Sequence, residues 1–254
     1  MVEWLAAGPI EGPVLLWLHG STGSRRTSPH SIDARVVAYD RPGYGRSHPH
    51  EERDLRSDVD DICALLDGLS INRIPVLAFS GGAAIGYAMA AWAPDRITTL
   101  NVVSGATWPT EPCPPFAALQ AAGERLRSDP AGVVDGLVAN APALDRRVLR
   151  DPTVREQLLV GARDAVAQGP SGWVAEARIL RSAWGFSPAA VRCPVRLWHG
   201  SLDSAVPFDA AEKTTTALAN ASLQSIPDAG HFGWMSIQHR VVTAAVSAPT
   251  GATQ

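Results

Sequence analysis

The chain of 254 residues has few cysteines, a single lysine and no long apolar run. A membrane-spanning helix requires about 20 consecutive apolar residues, so we expect no membrane span. The first residues lack the basic patch and apolar core of a secretory signal, and we therefore expect a cytoplasmic location. The wide spacing of Cys63, Cys113 and Cys193 fits neither a metal site nor a redox pair, so we interpret them as reduced packing residues.

Charge is also scarce. Charged residues make up 19% of the chain, the formal net charge is −3, and no basic run exceeds a pair of arginines. This excludes the footprint of a nucleic-acid-binding protein. Hydrophobic residues make up 46%, which excludes intrinsic disorder. The length fits one large α/β domain or at most two small ones, and favours a single core.

Apolar, β-rich runs alternate with helical segments along most of the chain. Strands are predicted at Val14–His19, Arg35–Tyr39, Ile74–Phe79, Ile97–Val103, Val195–His199 and Ser222–Ile226. Helices are predicted at Leu55–Leu69, Gly82–Ala93, Asp209–Leu218 and Phe232–Val246. The alternation predicts an α/β fold, with a mostly parallel sheet flanked by helices on both faces.

One stretch, residues 105–192, interrupts this alternation, because it contains helix-compatible pieces separated by prolines and no convincing strand. We predict a helical lid (cap) insertion here, between core segments 1–104 and 193–254. The insertion follows a strand end, where open α/β sheets bind their ligands, which makes it a candidate lid over a site. A packing appendage is the alternative.

Ser80 stands where the predicted strand Ile74–Phe79 becomes a helix. Ala78 and Gly82 flank it at positions where a tight strand-to-helix turn requires small residues. Such a turn lifts the hydroxyl clear of the sheet and places the Gly81 amide at a helix N-terminus, where it favours an oxyanion. Ser80 is therefore a candidate nucleophile, and a turn that serves only packing is the alternative.

A serine nucleophile requires a base and a third group that orients the base. Asp203 follows the predicted strand Val195–His199, and His231 follows the predicted strand Ser222–Ile226, so both lie at carboxyl ends of strands. The alternatives are that Asp203 only closes a turn and that His231 only caps the last helix. Asp228 is a rival acid, but it precedes His231 on the same loop and suits a turn better.

The segment Leu18–Ser24, with the sequence LHGSTGS, follows an early strand. This turn is a candidate source of a second oxyanion donor, which we assign to the amide of Ser21. A flexible loop is the alternative. A phosphate cradle is excluded, since neither a Gly-Lys-Ser/Thr ending nor Gly-x-Gly-x-x-Gly is present.

Four motifs together resemble the α/β-hydrolase superfamily, over nearly the whole chain. They are HGSTG from His19, YDRPGYGRS from Tyr39, FSGG from Phe79, and GSLD from Gly200 with the pair Gly230-His231. The resemblance implies a catalytic triad of Ser80, His231 and Asp203, and an oxyanion hole formed by the amides of Ser21 and Gly81. Ala78 replaces the usual glycine, and little room is left before Val14 for the family's first antiparallel hairpin.

Four aromatic residues are candidates for the wall of a substrate pocket. Phe79 and Phe232 flank the proposed nucleophile and base, whereas Trp108 and Trp184 lie in or beside the insertion. Rings in such positions either line an apolar pocket or anchor the helices of the insertion.

These features predict a serine hydrolase that cleaves a carboxylic ester or lactone through an acyl-enzyme on Ser80. We expect a small apolar acyl substrate and neither a metal nor an organic cofactor. The same fold and triad also support thioester or carbon–carbon cleavage, perhydrolysis or cyclisation, and these stay open. A non-catalytic ligand-binding protein is the alternative from another class. The sequence indicates neither the substrate's identity nor the oligomeric state.

Overall fold

The computed structural model describes residues 1–29, 33–108 and 113–247. Seven strands of these residues form one sheet, in the order β1-β3-β2-β4-β5-β6-β7. Every neighbouring pair is parallel except β1 with β3, which is antiparallel. The strands are β1 (Trp4–Ala7), β2 (Val14–Leu18), β3 (Arg35–Tyr39), β4 (Ile74–Phe79), β5 (Ile97–Val103), β6 (Val195–Gly200) and β7 (Ala221–Ile226).

Helices cover both faces of the sheet and connect its successive strands from β3 onward. They are α1 (Leu55–Gly68), α2 (Gly82–Trp92), α3 (Phe116–Ser128), α4 (Pro130–Asn140), α5 (Ala143–Leu149), α6 (Pro152–Ala165), α7 (Ser171–Ile179), α8 (Phe208–Ala217) and α9 (Gln238–Val246). The predicted fold class, an α/β fold with a mostly parallel sheet flanked by helices, is confirmed. In the described residues, no helix is long and apolar enough to cross a bilayer.

Strands β2 and β4 are apolar on both faces, because each face of the sheet is covered by helices there. Along β2, Leu16 and Leu18 join the core that contains α1 and α2, whereas Leu15 and Trp17 join the core that contains α9. This alternation follows from the two-residue period of a strand. The sheet is therefore fixed between two apolar layers, and its carboxyl edge is held in a defined position.

The two ends of the chain differ in detail from the sequence-based expectations. In place of a full antiparallel hairpin, the first strand β1 pairs alone with the edge of β3. The helix predicted over Phe232–Val246 is divided into a 3₁₀ turn, Gly233–Ile237, and α9. The tighter turn arises from i to i+3 hydrogen bonding, in which the Met235 amide donates to the Phe232 carbonyl.

The stretch between β5 and β6 holds the five helices α3 to α7. Its helices pack partly on one another and partly on loops of the sheet domain, and Tyr44 contributes to the apolar cluster that they form. Backbone also meets backbone without an intervening side chain, since a Cβ built at Gly172 of α7 would lie 2.7 Å from the Gly43 carbonyl oxygen. These helices, called the insertion below, are thus seated directly on the loops that follow the strands.

Helix α2 lies so close to the sheet that its first residue has no room for a side chain. A Cβ at Gly82 would lie 2.4 Å from the Leu18 carbonyl oxygen. Gly82→Ala should therefore lower the free energy of unfolding by about 1–3 kcal/mol. A Cβ at Gly68, also helical, would meet nothing within 4 Å, so Gly68→Ala should be neutral or slightly stabilising. Urea denaturation of both variants checks this, and equal midpoints for the two would contradict it.

Candidate active site

Ser80 lies between the end of β4 and the start of α2, in a strained backbone conformation. Its φ is +49°, in the left-handed region that side chains other than glycine rarely adopt. Backbone bonds on both sides hold this turn: the Ser80 amide donates to the Val103 carbonyl (3.1 Å), and the Ser80 carbonyl accepts from Ala106 (2.9 Å). The strain is thus supported by the neighbouring strand β5, and the hydroxyl projects from the carboxyl edge of the sheet.

Ser80, His231 and Asp203 form one continuous hydrogen-bonded chain. The Ser80 Oγ lies 2.9 Å from His231 Nε2, and His231 Nδ1 lies 2.8 Å from Asp203 Oδ2. An ionised carboxylate only accepts hydrogen bonds, so Nδ1 carries the imidazole proton. Nε2 is therefore free to accept from the Ser80 hydroxyl. The structure thus brings together the three side chains that the sequence singled out, in the order that proton transfer requires.

Asp203 is buried and held from several directions. Its Oδ1 accepts from the amides of Ala205 and Val206, each at 2.9 Å, while His199 Nε2 lies 3.3 Å from Oδ2. Burial by itself raises the pKa of Asp203, but the hydrogen bonds from His199 and His231 outweigh it and lower the pKa well below its usual range. The carboxylate is therefore ionised wherever the protein is folded near neutral pH.

The rival acid, Asp228, has no such environment. It is exposed, has a φ of +58°, and its amide donates to the Ser201 hydroxyl at 3.0 Å. These are properties of a turn residue. Within the described residues, moreover, no group of three histidine, cysteine or acidic side chains is arranged to hold a metal ion.

The amides of Ser21 and Gly81, the predicted oxyanion donors, donate to no group in the described part of the chain. The orientation of the Ser21 amide is set by the other end of its peptide bond. That carbonyl, of Gly20, accepts from the Gly23 amide and from Arg41 Nη2, both at 2.9 Å. Because a trans peptide directs its N–H opposite to its C=O, these bonds aim the Ser21 N–H away from Arg41.

Arg41 is itself held by the helical insertion. Its Nε lies 2.7 Å from Oε2 of Glu176 on α7, and its Nη2 donates to Oε1 at 3.1 Å. Glu176 also lies 3.5 Å from Arg53, which pairs with Asp58 at 2.8 Å. All four side chains are buried, and their charges balance. A carboxylate of the insertion thus fixes the arginine that orients the loop after β2.

Two cavities meet at Ser80, and His231 and Ser21 line both. The first has a volume of about 560 Å³ and lies between α4 and the loop after β2. Its apolar wall comprises Trp17, Phe79, Val133, Leu137, Leu158, Phe232 and Met235. The second has a volume of about 940 Å³. It is lined by rings and charged groups that include Trp108, Trp173, Arg181, Asp209 and Lys213.

Of the four aromatic residues proposed for the pocket, Phe79 and Phe232 lie in the wall of the first cavity and Trp108 in that of the second. Trp184 is placed elsewhere and lines neither. It is 4% exposed, and its ring packs 5.0 Å from that of Trp108 and 6.2 Å from that of Tyr87. This corrects its assignment to the pocket: its ring is buried among the rings of Tyr87, Trp108 and Phe186 and anchors the core.

Several residues that build the site were missed from the sequence. Glu176 and Asp145 sit on helices of the insertion and make their contacts with distant loops, so no local pattern marks them. Trp17 had a weak signal, because an aromatic ring near the end of a central strand is placed close to the carboxyl edge.

A family model described as "Alpha/beta hydrolase family" matches residues 15–246. The chain belongs to the alpha/beta hydrolase family. The resemblance given by the four sequence motifs is thereby confirmed.

Two relatives of this alpha/beta hydrolase share about a quarter of their aligned residues with it. A pimeloyl-[acyl-carrier protein] methyl ester esterase of Chromobacterium violaceum is 26% identical, over 96% of this chain and 95% of that protein. The dihydrolipoyllysine-residue acetyltransferase component of the acetoin cleaving system of Pseudomonas putida is 27% identical, over 95% of this chain. That protein is longer, and the match spans 64% of its length.

Among solved structures, the enol-lactonase from Burkholderia xenovorans LB400 has a TM-score of 0.77 at 19% identity. The match covers 98% of this chain and 96% of that one. At this identity the likeness shows the fold alone.

His19 is buried at the start of the loop that contains Ser21, and its titration tests the environment of that loop. Burial, and after it the charge of Arg41, hold the pKa of His19 well below its ordinary value of 6.5. The unfolded chain therefore binds a proton there, below about pH 6.5, that the folded chain does not, and stability falls as the pH falls.

We expect the free energy of unfolding of the wild type to decrease, between about pH 7 and about pH 5, more steeply than that of His19→Asn. The difference in slope should reach up to about 1.4 kcal/mol per pH unit, which is the effect of one proton. Urea denaturation at several pH values measures it. Parallel curves for the two proteins would show that His19 titrates alike in the folded and unfolded chain.

Proposed function

We propose that this alpha/beta hydrolase cleaves a carboxylic ester or lactone through an acyl-enzyme on Ser80. The observation that carries the proposal is the chain of contacts from Ser80 Oγ through His231 to Asp203, with distances of 2.9 and 2.8 Å. A serine hydroxyl becomes a competent nucleophile when a positioned imidazole accepts its proton and a carboxylate stabilises the resulting imidazolium.

In the first half of the reaction, Ser80 Oγ attacks the substrate carbonyl carbon while its proton passes to His231 Nε2. The amides of Ser21 and Gly81 donate to the carbonyl oxygen as it gains negative charge. His231 then gives the proton to the departing alkoxide, which leaves as an alcohol, or stays tethered if the substrate is a lactone. In the second half, His231 deprotonates a water molecule that attacks the acyl-enzyme, and Ser80 regains its proton.

The two cavities support a substrate with a group on each side of the scissile bond. The first cavity has an apolar wall that suits an acyl chain, and the second has charged and aromatic groups that suit the alcohol side. Two proteins similar to this chain, a methyl ester esterase in sequence and an enol-lactonase in fold, are named for these substrate classes. An ester with an apolar acyl group is therefore the substrate class we propose.

Labelling tests the role of Ser80. A fluorophosphonate should modify Ser80 alone, and Ser80→Ala should lower ester turnover by roughly 10³- to 10⁶-fold, because the acyl-enzyme no longer forms. Ser70 is a matched control, since its φ of +56° is equally unusual but it is exposed and precedes the amino end of β4, whereas Ser80 follows the carboxyl end. Ser70→Ala should keep full turnover and labelling. An adduct mapped by mass spectrometry to another residue would refute the mechanism.

Chain-length preference tests the first cavity. Gly136 of α4 lines it, and a Cβ there would meet nothing within 4 Å, so a larger side chain fits without disturbing the helix. In Gly136→Phe, kcat/KM for a decanoate ester should fall by about tenfold or more while that for a butyrate ester changes little, because the ring occupies the space of the distal methylenes.

Gly68→Phe places the same ring on α1, also in open space, and should leave both esters unaffected. Equal losses on the two esters in Gly136→Phe would place the acyl chain outside this cavity.

A further inference from the structure

Asp145, on helix α5 of the insertion, binds the backbone of the loop that carries His231. Its Oδ1 accepts from the Gly230 amide and its Oδ2 from the Phe232 amide, both at 2.7 Å. The two amides stand immediately before and after His231 in the chain. One carboxylate, 85 residues away in sequence from Gly230, thus holds the backbone on both sides of the imidazole.

The carboxylate is 1% exposed, and within the described residues no lysine, arginine or histidine forms an ion pair with it. Burying a charge without a counter-ion is costly unless strong hydrogen bonds compensate, and bonds from amides to an ionised carboxylate are of that kind. An apolar residue would cover this surface at a lower desolvation cost. The position of Asp145 is therefore explained by the two amides it binds.

The loop is shaped to receive this carboxylate. A Cβ built at Gly230 would lie 2.8 Å from Asp145 Oδ2, and one built at Gly233 would lie 2.3 Å from Ala229 Cβ and 2.8 Å from Asp145 Oδ1. These distances are shorter than real Cβ contacts, so a side chain at either position would conflict with the carboxylate as it is placed. Two glycines thus leave the space that Asp145 fills.

The opposite side of the same loop rests on β6 and the turn that carries Asp203. The Leu202 amide donates to the Ala229 carbonyl at 2.8 Å, and Gly200 approaches so closely that a Cβ there would lie 2.3 Å from the Gly230 carbonyl oxygen. The loop is therefore clamped between the sheet domain and the insertion. Contacts with the sheet domain support the loop on the side of Asp203. Asp145 binds the loop on the side of the insertion.

We propose that Asp145 is a positioning residue for His231: it fixes the backbone around the imidazole so that Nδ1 faces Asp203 and Nε2 faces Ser80 at the same time. The proposal rests on the proposed function, because it assigns to the insertion a part in that hydrolysis. It gives the insertion a role in the proton transfer itself, in addition to that of covering the cavities. Misplacing a reacting group by about 1 Å costs roughly 100-fold in rate.

The test compares Asp145→Asn with the wild type. The amide keeps the size of the side chain but presents an N–H₂ group to one of the two backbone N–H donors, so one bond is lost. We expect kcat for ester hydrolysis, per labelled site, to fall roughly 10- to 100-fold with KM within about threefold. The rate of fluorophosphonate labelling should fall in parallel. The low-field proton resonance of the His231 Nδ1–H bond to Asp203 should shift or disappear.

Asp164 provides the matched control. It is another carboxylate of the insertion, on α6, and accepts from Arg26 Nε of the sheet domain at 2.9 Å, but it makes no contact with the His231 loop. Asp164→Asn should lower the melting temperature and leave kcat, labelling rate and the low-field resonance as in the wild type. This separates loss of an insertion-to-core contact from loss of His231 positioning.

Should Asp145→Asn fail to fold, Asp145→Ser, whose smaller hydroxyl fits the same space, is scored by the same readouts. A variant at position 145 that folds and keeps wild-type kcat, labelling rate and proton resonance would overturn the proposal. The labelling and resonance arms need no substrate. If the wild type hydrolyses no ester but Ser80 is labelled, the substrate assignment fails while these two arms still decide the role of Asp145.

Discussion

The parallel alignment of β4, β6 and β7 is the constraint on which the rest of the site depends. Ser80, Asp203 and His231 follow these three strands, and each lies just beyond the carboxyl end of its own. Since strands of one direction end at one edge, residues more than a hundred positions apart arrive within hydrogen-bonding distance. A slip of one residue in any of these strands would turn its side chains to the opposite face and separate the three groups.

Buried carboxylates make directed polar contacts around this edge. Two carboxylates of the insertion point toward the sheet domain beside Ser80: Glu176 toward Arg41, and Asp145 toward the backbone around His231. Apolar packing alone tolerates sliding, whereas hydrogen bonds with defined geometry fix the orientation of what they join. The insertion is therefore fixed to the loops beside Ser80 at specific points rather than resting on them as an apolar cover.

Much of this architecture was predictable because local signals agreed with the tertiary fold. The strand from Ile74 to Phe79 is apolar throughout and ends in a serine between small residues, so one stretch of sequence indicates a strand, a turn and a helix. The short strand Trp4–Ala7 could not be given bounds from the sequence, because it lies at the sheet edge and two of its four residues are exposed. Its hydrophobic pattern is accordingly weak. The 3₁₀ turn before α9 was missed because 3₁₀-helices and α-helices carry similar residues.

What the sequence could not indicate depends on contacts between distant segments. Trp184 and Trp108 are both tryptophans near the insertion, but only the packing around Tyr87 decides which of them faces a cavity. Asp145 resembles any acidic residue in the first turn of a helix, and its two backbone partners lie beyond residue 229. Sequence periodicity carries no information about which loop a helix will approach.

The contact between Glu176 and Arg41 has a consequence for redesign. Exchanging the whole stretch between β5 and β6 for that of another relative is an attractive route to new specificity, because it contributes to the walls of both cavities. Such a graft would also remove the acceptor that steadies Arg41, and with it the support of the Gly20 peptide. A chimera in this scaffold must therefore carry over the acidic anchor at its original place, or recognition and turnover will change together.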